Sequence, residues 1–195
     1  MTTGLRTLLG SLCLLLCALA LALLPLIFAS DWYTFNCQFH TRCANLDPVG
    51  VDERVRNMGQ FFLHREPLAA DWDPRGAAHL ADVRVLYDRL ALVALAAAVT
   101  LTALLVRQPR ALRTYARGAT LLLLVCVVAV IPAFGLFWEH VFHPALFDND
   151  LWRTRPGEIL WSLSPRVFFK HSAMALLGVS SALCAALWLL GPRPR

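Results

Sequence analysis

Residues 137–152 read FWEHVFHPALFDNDLW, setting His140 and His143 three apart with Asp148, Asn149 and Asp150 close behind and aromatic residues throughout. Earlier in the chain His79 and Asp82 are also three apart. Imidazole exchanges protons near neutral pH and, when neutral, binds metals, so two chemistries are open. For a metal site, His140 and His143 would share a helical face, with His79 or an aspartate completing the set, but the spacing matches no familiar zinc motif. For acid–base work, two histidines from different stretches meeting at a lipid interface would move protons in ester or amide chemistry. No Gly-x-Ser-x-Gly elbow is present, and Ser162 and Ser164 have no special context. In an acyl-transfer site the nucleophile would then belong to the substrate.

The scaffold for these groups is set by composition. Of 195 residues, 58% are hydrophobic and 16% charged, the balance of a membrane protein. Uncharged apolar runs at 7–30, 90–106, 118–138 and 172–192 each suit an α-helix crossing ~30 Å of hydrocarbon, which takes about 17–25 residues. The expected fold is therefore an all-α integral membrane protein in a single membrane domain, 1–195. Its spans fall at about 7–30, 87–106, 118–138 and 171–191. The first run follows Arg6 and precedes Ala29 and Ser30, as a signal peptide would, but its apolar part exceeds the ~7–15 residues usual for one. A retained anchor is expected.

Charge orients the spans. Arg6, Arg107, Arg110, Arg113, Arg117, Arg193 and Arg195 occupy one side with no acidic residue, which makes that side cytoplasmic. All 13 acidic residues fall in the other segments, 31–89 and 139–170. Both termini are then cytoplasmic, and the 1–2 and 3–4 connections build an extracytoplasmic cap. The net charge of +5 thus reports topology rather than nucleic-acid binding. Cys13, Cys17, Cys126 and Cys184 lie in apolar runs as small hydrophobes, whereas Cys37 and Cys43 form a candidate disulfide in the first outer connection. A disulfide-generating oxidase would want a second outer pair, and 139–170 has no cysteine.

Within the cap, Val51, Val55, Met58, Phe61 and Phe62 recur at helical spacing after the turn-prone Asp-Pro-Val-Gly at 47–50, predicting an amphipathic helix. Residues 72–76 read as a turn, and 77–95 as a helix that continues into the second span with His79, Asp82, Val83 and Leu86 on one face. Phe137, Trp138, Phe142, Phe147 and Trp152 suit a membrane interface. All six histidines, His40, His64, His79, His140, His143 and His171, lie on the outer side or at its edge.

His-Leu-Ala-Asp-Val at 79–83, Phe-His-Pro-Ala-Leu-Phe at 142–147, Asp-Asn-Asp-Leu-Trp at 148–152 and Leu-Ser-Pro-Arg-Val-Phe-Phe at 163–169 together resemble the lipoprotein intramolecular transacylase family of small bacterial four-span proteins. The family pattern is His-Met-x-Asp-Val, then His-x-x-Phe-Phe followed by an Asp and a Trp, then Pro-x-x-Phe-Phe. Here Leu80 replaces the methionine and Leu146 the first phenylalanine after the histidine. The resemblance implies acyl transfer from the sn-2 ester of a diacylglyceryl lipoprotein to the α-amino group of its N-terminal cysteine. Membrane lipids surround the site, which would lie on the outer face of the bacterial inner membrane; no cofactor, metal or nucleic acid is called for.

On that expectation His79, oriented by Asp82, is general base toward the amine, and His143 stabilises the oxyanion or protonates the departing oxygen, with the two roles interchangeable. Trp138, Phe142, Phe147, Trp152 and Phe168 would wall the acyl chains, and Asn149 or Asp150 would shape the loop at the headgroup. His140 is expected in a cap hydrogen bond and His171 at the mouth of the fourth span. The competing class is a non-enzymatic membrane factor that binds lipid or lipoprotein.

Overall fold

The computed structural model describes residues 2–44 and 46–191, and among these the regular secondary structure is helical, without a strand. Arg193 and Arg195, part of the charge argument, and the last residue of the fourth apolar run lie outside the described residues. In chain order the helices are α1 (Thr3–Phe28), α2 (Ser30–Cys37), α3 (Thr41–Ala44), α4 (Pro48–Phe62), α5 (Pro74–Arg107), a 3₁₀ turn (Pro109–Ala111), α6 (Leu112–Val130) and α7 (Phe134–Phe137). A π turn (Trp138–Phe142), α8 (His143–Leu146), α9 (Ile159–Leu163) and α10 (Arg166–Leu190) follow. Four stretches, Thr3–Phe28, Pro74–Arg107, Pro109–Val130 and Arg166–Leu190, are long and apolar enough to cross a membrane. With 34 residues, α5 extends about 51 Å, well beyond ~30 Å of hydrocarbon. His79 precedes its apolar run by about three turns.

The chain divides into two units. One comprises the chain up to Leu24, Arg89–Pro132 and the chain from Ala173. Its core holds Leu14, Ala18, Tyr115, Ala116, Ala119, Leu123 and Cys184. Without a hydrophobic drive between helices in lipid, small residues that allow close approach matter most. At Gly10 a Cβ would come within 2.6 Å of the Tyr115 ring, so α1 and α6 meet only because that atom is missing.

The other unit comprises Pro25–Asp88 and Ala133–Ser172. Its α4 starts where Asp47 accepts from the backbone N–H groups of Val49 and Gly50 at 3.4 and 3.2 Å, with Pro48 in the first helical turn. Asp-Pro here caps a helix. The stripe Val51, Val55, Met58, Phe61 and Phe62 is buried, which assigns it to packing within this unit. Asn57 then ties down the following loop, donating to the Pro67 carbonyl at 3.0 Å and accepting from the Ala69 N–H at 3.0 Å and the Trp72 indole at 3.1 Å.

Two boundaries differ from the sequence reading. Residues 72–76 are not a free turn: α5 begins at Pro74, because Asp73 accepts from the Gly76 N–H at 2.6 Å and so caps the helix. The third apolar run is not one helix either. It stops at Val130 and resumes at Phe134, since Pro132 lacks an N–H and its ring clashes with a carbonyl one turn back.

Candidate active site

The restart after Pro132 matters because the next turn is wide. In the π turn a backbone N–H reaches five residues back, and that of His143 meets the Trp138 carbonyl. The His143 Nδ1 lies 2.8 Å from the same oxygen. A carbonyl only accepts, so Nδ1 carries the proton and Nε2 keeps its lone pair. One backbone oxygen thereby sets both the position and the tautomer of His143.

The ring is 3% exposed and enclosed by aromatic side chains. Trp152 stacks on it at 4.2 Å between centroids, Trp138 meets it edge-on at 4.3 Å, and Phe142 and Phe147 lie at 5.2 and 5.7 Å. Burial pushes the His143 pKa down from the ordinary imidazole value, and the bond to the Trp138 carbonyl partly offsets it. Neutral imidazole is the resting form.

His79 joins from α5. Its ring meets Phe147 edge-on at 5.2 Å, so Phe147 is a shared neighbour of both imidazoles. Its Nδ1 is buried without a hydrogen-bond partner among the described residues. Burial first, and then the nearby His143, hold the His79 pKa down at about 4, against a smaller upward pull from Asp82. Asp82 does not hydrogen-bond His79; its Oδ2 accepts from Asn149 Nδ2 at 2.9 Å. The orienting carboxylate of the sequence reading therefore grips the 148–158 loop.

The remaining candidates separate into those inside this cluster and those outside it. Asn149 spends its other side-chain atom on the Leu151 N–H at 3.0 Å, and the Asp150 carboxylate faces Arg153 at 3.5 Å, so both shape the loop. Phe168 is buried against Tyr33 at 4.5 Å, and it is Phe169 that stacks on Trp138, also at 4.5 Å. His140 is exposed and makes no hydrogen bond among the described residues. His171 Nδ1 lies 2.7 Å from Asn36 Oδ1 early in α10, a packing role. Cys37 and Cys43 are joined by a disulfide, and with His40 they form the grouping of metal-type ligands among the described residues. A metal would need them as thiolates, and the grouping includes neither His79 nor His143.

Sequence reasoning missed Asp73, Arg75, Glu158 and Phe169. Asp73 Oδ2 also accepts from the first N–H of α9, at Ile159, at 3.2 Å. The one available signal was Asp-Pro at 73–74, which marks a helix start as well as a turn.

The family model described as lipoprotein intramolecular transacylase Lit matches residues 8–169. The chain belongs to the Lit family. It is accordingly an acyltransferase of the membrane-integral class, with the four apolar helices such a protein needs. Three solved structures of Lit from Bacillus cereus share its fold. One has a TM-score of 0.76 at 20% identity, covering 96% of this chain and 94% of that one. The other two carry one histidine changed to arginine or to alanine. They give TM-scores of 0.73 and 0.72 at 19% identity, covering 96% of this chain and 90% and 92% of theirs. No curated protein matches the chain.

Proposed function

We propose that this Lit-family chain moves an acyl group from the sn-2 ester of a diacylglyceryl lipoprotein to the α-amino group of that lipoprotein's N-terminal cysteine. The observation that carries the reading is the pair of neutral imidazoles on one aromatic ring, Phe147, with the lone pair of His143 held at Nε2.

His143 Nε2 takes the proton from the attacking amine, one of the two assignments the sequence leaves open. His79, kept neutral with a pKa of about 4, donates an N–H to the oxyanion, as a neutral imidazole does wherever protonation is suppressed. The C–N bond forms, the ester C–O bond breaks, and the proton held by His143 passes to the departing sn-2 oxygen. Neither an outside acyl donor nor a covalent enzyme intermediate is needed. Both reactants are in one molecule, where holding them in register contributes on the order of 7–11 kcal/mol. The amine, with a free pKa near ~8, asks little of its base. Trp138, Phe142, Phe147 and Trp152 line the acyl chains, and membrane lipid is the surrounding medium. The site faces outward, because Arg6, Arg107, Arg110, Arg113 and Arg117 hold the opposite side in the cytoplasm.

The test is amine labelling of a purified diacylglyceryl lipoprotein after incubation with the protein, read with fragment ions because the transfer is an isomerisation and leaves intact mass unchanged. Loss of the amine, with an acyl chain on nitrogen, is the expected result. An amine that stays fully labelled in the presence of folded protein and lipid overturns the reading and leaves a lipid-binding role in its place.

A further inference from the structure

His79 is flanked on its own helix by two residues that hold the same loop. Arg75, His79 and Asp82 fall at i, i+4 and i+7, one stripe of α5. Asp82 holds Asn149 at 2.9 Å. Arg75 makes three contacts with residues further along that loop: Nε to Glu158 Oε1 at 3.1 Å, and Nη2 to the carbonyl oxygens of Asp150 at 3.1 Å and Arg153 at 3.4 Å. Glu158 is only 12% exposed in this pair, and its second oxygen accepts from the Arg155 N–H at 2.7 Å. Gly157, at φ +94°, turns the chain back so that Glu158 meets Arg75; that φ suits glycine and strains other residues. Between the two anchors the loop carries Trp152, the ring stacked on His143.

We propose that Arg75 is a positioning residue: acting with Glu158, and with the Asp82–Asn149 pair as second anchor, it sets the placement of His79 relative to the loop that carries Trp152. The proposal rests on the transacylase reading for its effect on rate, but not for its effect on geometry. Arginine suits the task because its planar fork serves a carboxylate and carbonyls at once, whereas a lysine ammonium keeps the charge and loses the fork. A charge-assisted bond to a sheltered carboxylate also holds more firmly than one in open water. Displacing a reacting group by about 1 Å costs on the order of 100-fold in rate, and that is the effect expected here.

The experiment compares Arg75→Lys, Arg75→Ala, Glu158→Gln and the Arg75→Ala/Glu158→Gln double variant in detergent-purified full-length protein. Three readouts are used: kcat and KM for the diacylglyceryl lipoprotein, thermal midpoint, and the rate at which diethyl pyrocarbonate modifies His79, followed by mass spectrometry of the peptide. The expected result is kcat lower by about 100-fold with KM held and faster modification of His79. Arg75→Lys should behave like Arg75→Ala at an unchanged thermal midpoint, and the double variant should be no worse than Arg75→Ala, as for two partners of one contact. Should Arg75→Ala fail to fold, Arg75→Lys and Glu158→Gln carry the test.

Wild-type kcat in Arg75→Lys and Glu158→Gln overturns the proposal. So does a raised KM with kcat intact, which would make Arg75 a substrate ligand, and so does a fall in kcat with His79 modification unchanged. If the wild-type protein itself transfers no acyl chain, the functional reading is what fails. His79 modification then decides the positioning claim alone, faster modification sustaining it and an unchanged rate overturning it.

Discussion

His143 and His79 are both kept neutral, yet their surroundings suit them to different work. The Trp138 carbonyl accepts from the Nδ1–H of His143 and leaves a basic Nε2, while His79 has no such partner at Nδ1. Replacing His143 by alanine should therefore lower kcat by about 10²–10⁴-fold, the range of a positioned general base. His79→Ala should cost about 10²–10³-fold, and His79→Gln, which keeps an N–H donor, should recover part of it. Equal kcat for the alanine and glutamine variants at position 79 would remove the donor assignment. The depressed pKa of His79 also predicts a stability window. The folded state resists protonation down to about pH 4, whereas the unfolded chain takes up a proton near its ordinary value of 6.5. The unfolded state thus binds more protons between those values, and stability falls as pH drops from 6.5 toward 4. Thermal unfolding across that range should show the decline, and His79→Gln should flatten it; an unchanged slope would mean His79 titrates normally. These two histidines stood out as candidates from type and setting, because ionisable groups at a membrane edge are functional candidates by default, and both rings lie against Phe147. The proposed choice of His143 as base was not legible, since it rests on a backbone oxygen. The choice between Phe168 and Phe169 was hidden for a similar reason: adjacent residues on a helix point about 100° apart, and only the packing of α10 decides which ring meets Trp138.

The wide turn at Trp138–Phe142 is the element on which the site depends. A π turn is one residue longer than the α-helical path it replaces and persists chiefly where function retains it. Deleting Val141, an exposed residue within it, should let the segment close into an ordinary α-helix. The His143 N–H, then four residues after Trp138, would keep that carbonyl, but the ring would rotate by roughly 30–40° and lose its register against the carbonyl and Trp152. The expected outcome is a protein that inserts and keeps its thermal midpoint within a few degrees while transfer falls by about 100-fold or more. Full activity would show that the turn is incidental. Glu139 of the same turn pairs with Arg166 at the start of α10, so the turn has a lateral anchor that such a deletion would also displace. Helices α4 and α5 show why elements were easier to foresee than their ends. The apolar stripe of α4 was plain in its periodicity, and the stripe is buried. Both helices nevertheless begin at an Asp-Pro pair that reads equally well as a turn, and a capping carboxylate is recognised only once the N–H groups it accepts from are in place.

At the scale of the whole molecule, the four apolar runs and the arginine asymmetry made an all-α membrane protein legible from composition alone, because the backbone has few ways to satisfy itself in lipid. Two physically unrelated features then bear on orientation. Arg107, Arg110, Arg113 and Arg117 cluster from the end of α5 to the start of α6 without an acid, and the positive-inside rule favours the cytoplasm for such a cluster. Cys37 and Cys43, joined in the connection after α1, need an oxidising compartment to persist as a disulfide. One feature concerns insertion and the other redox chemistry, and the proposed orientation, with the 31–86 and 139–170 segments outward, is consistent with both. Substituted-cysteine labelling in intact cells tests both at once. In a background with the native cysteines replaced by serine, Asp150→Cys should react with a membrane-impermeant maleimide, and Arg110→Cys should react only after the cells are opened. The reverse pattern would turn the molecule over. It would leave the disulfide in the reducing cytoplasm and carry His79 and His143, which share a unit with Asp150, to the side where a lipoprotein headgroup anchored in the outer leaflet does not reach.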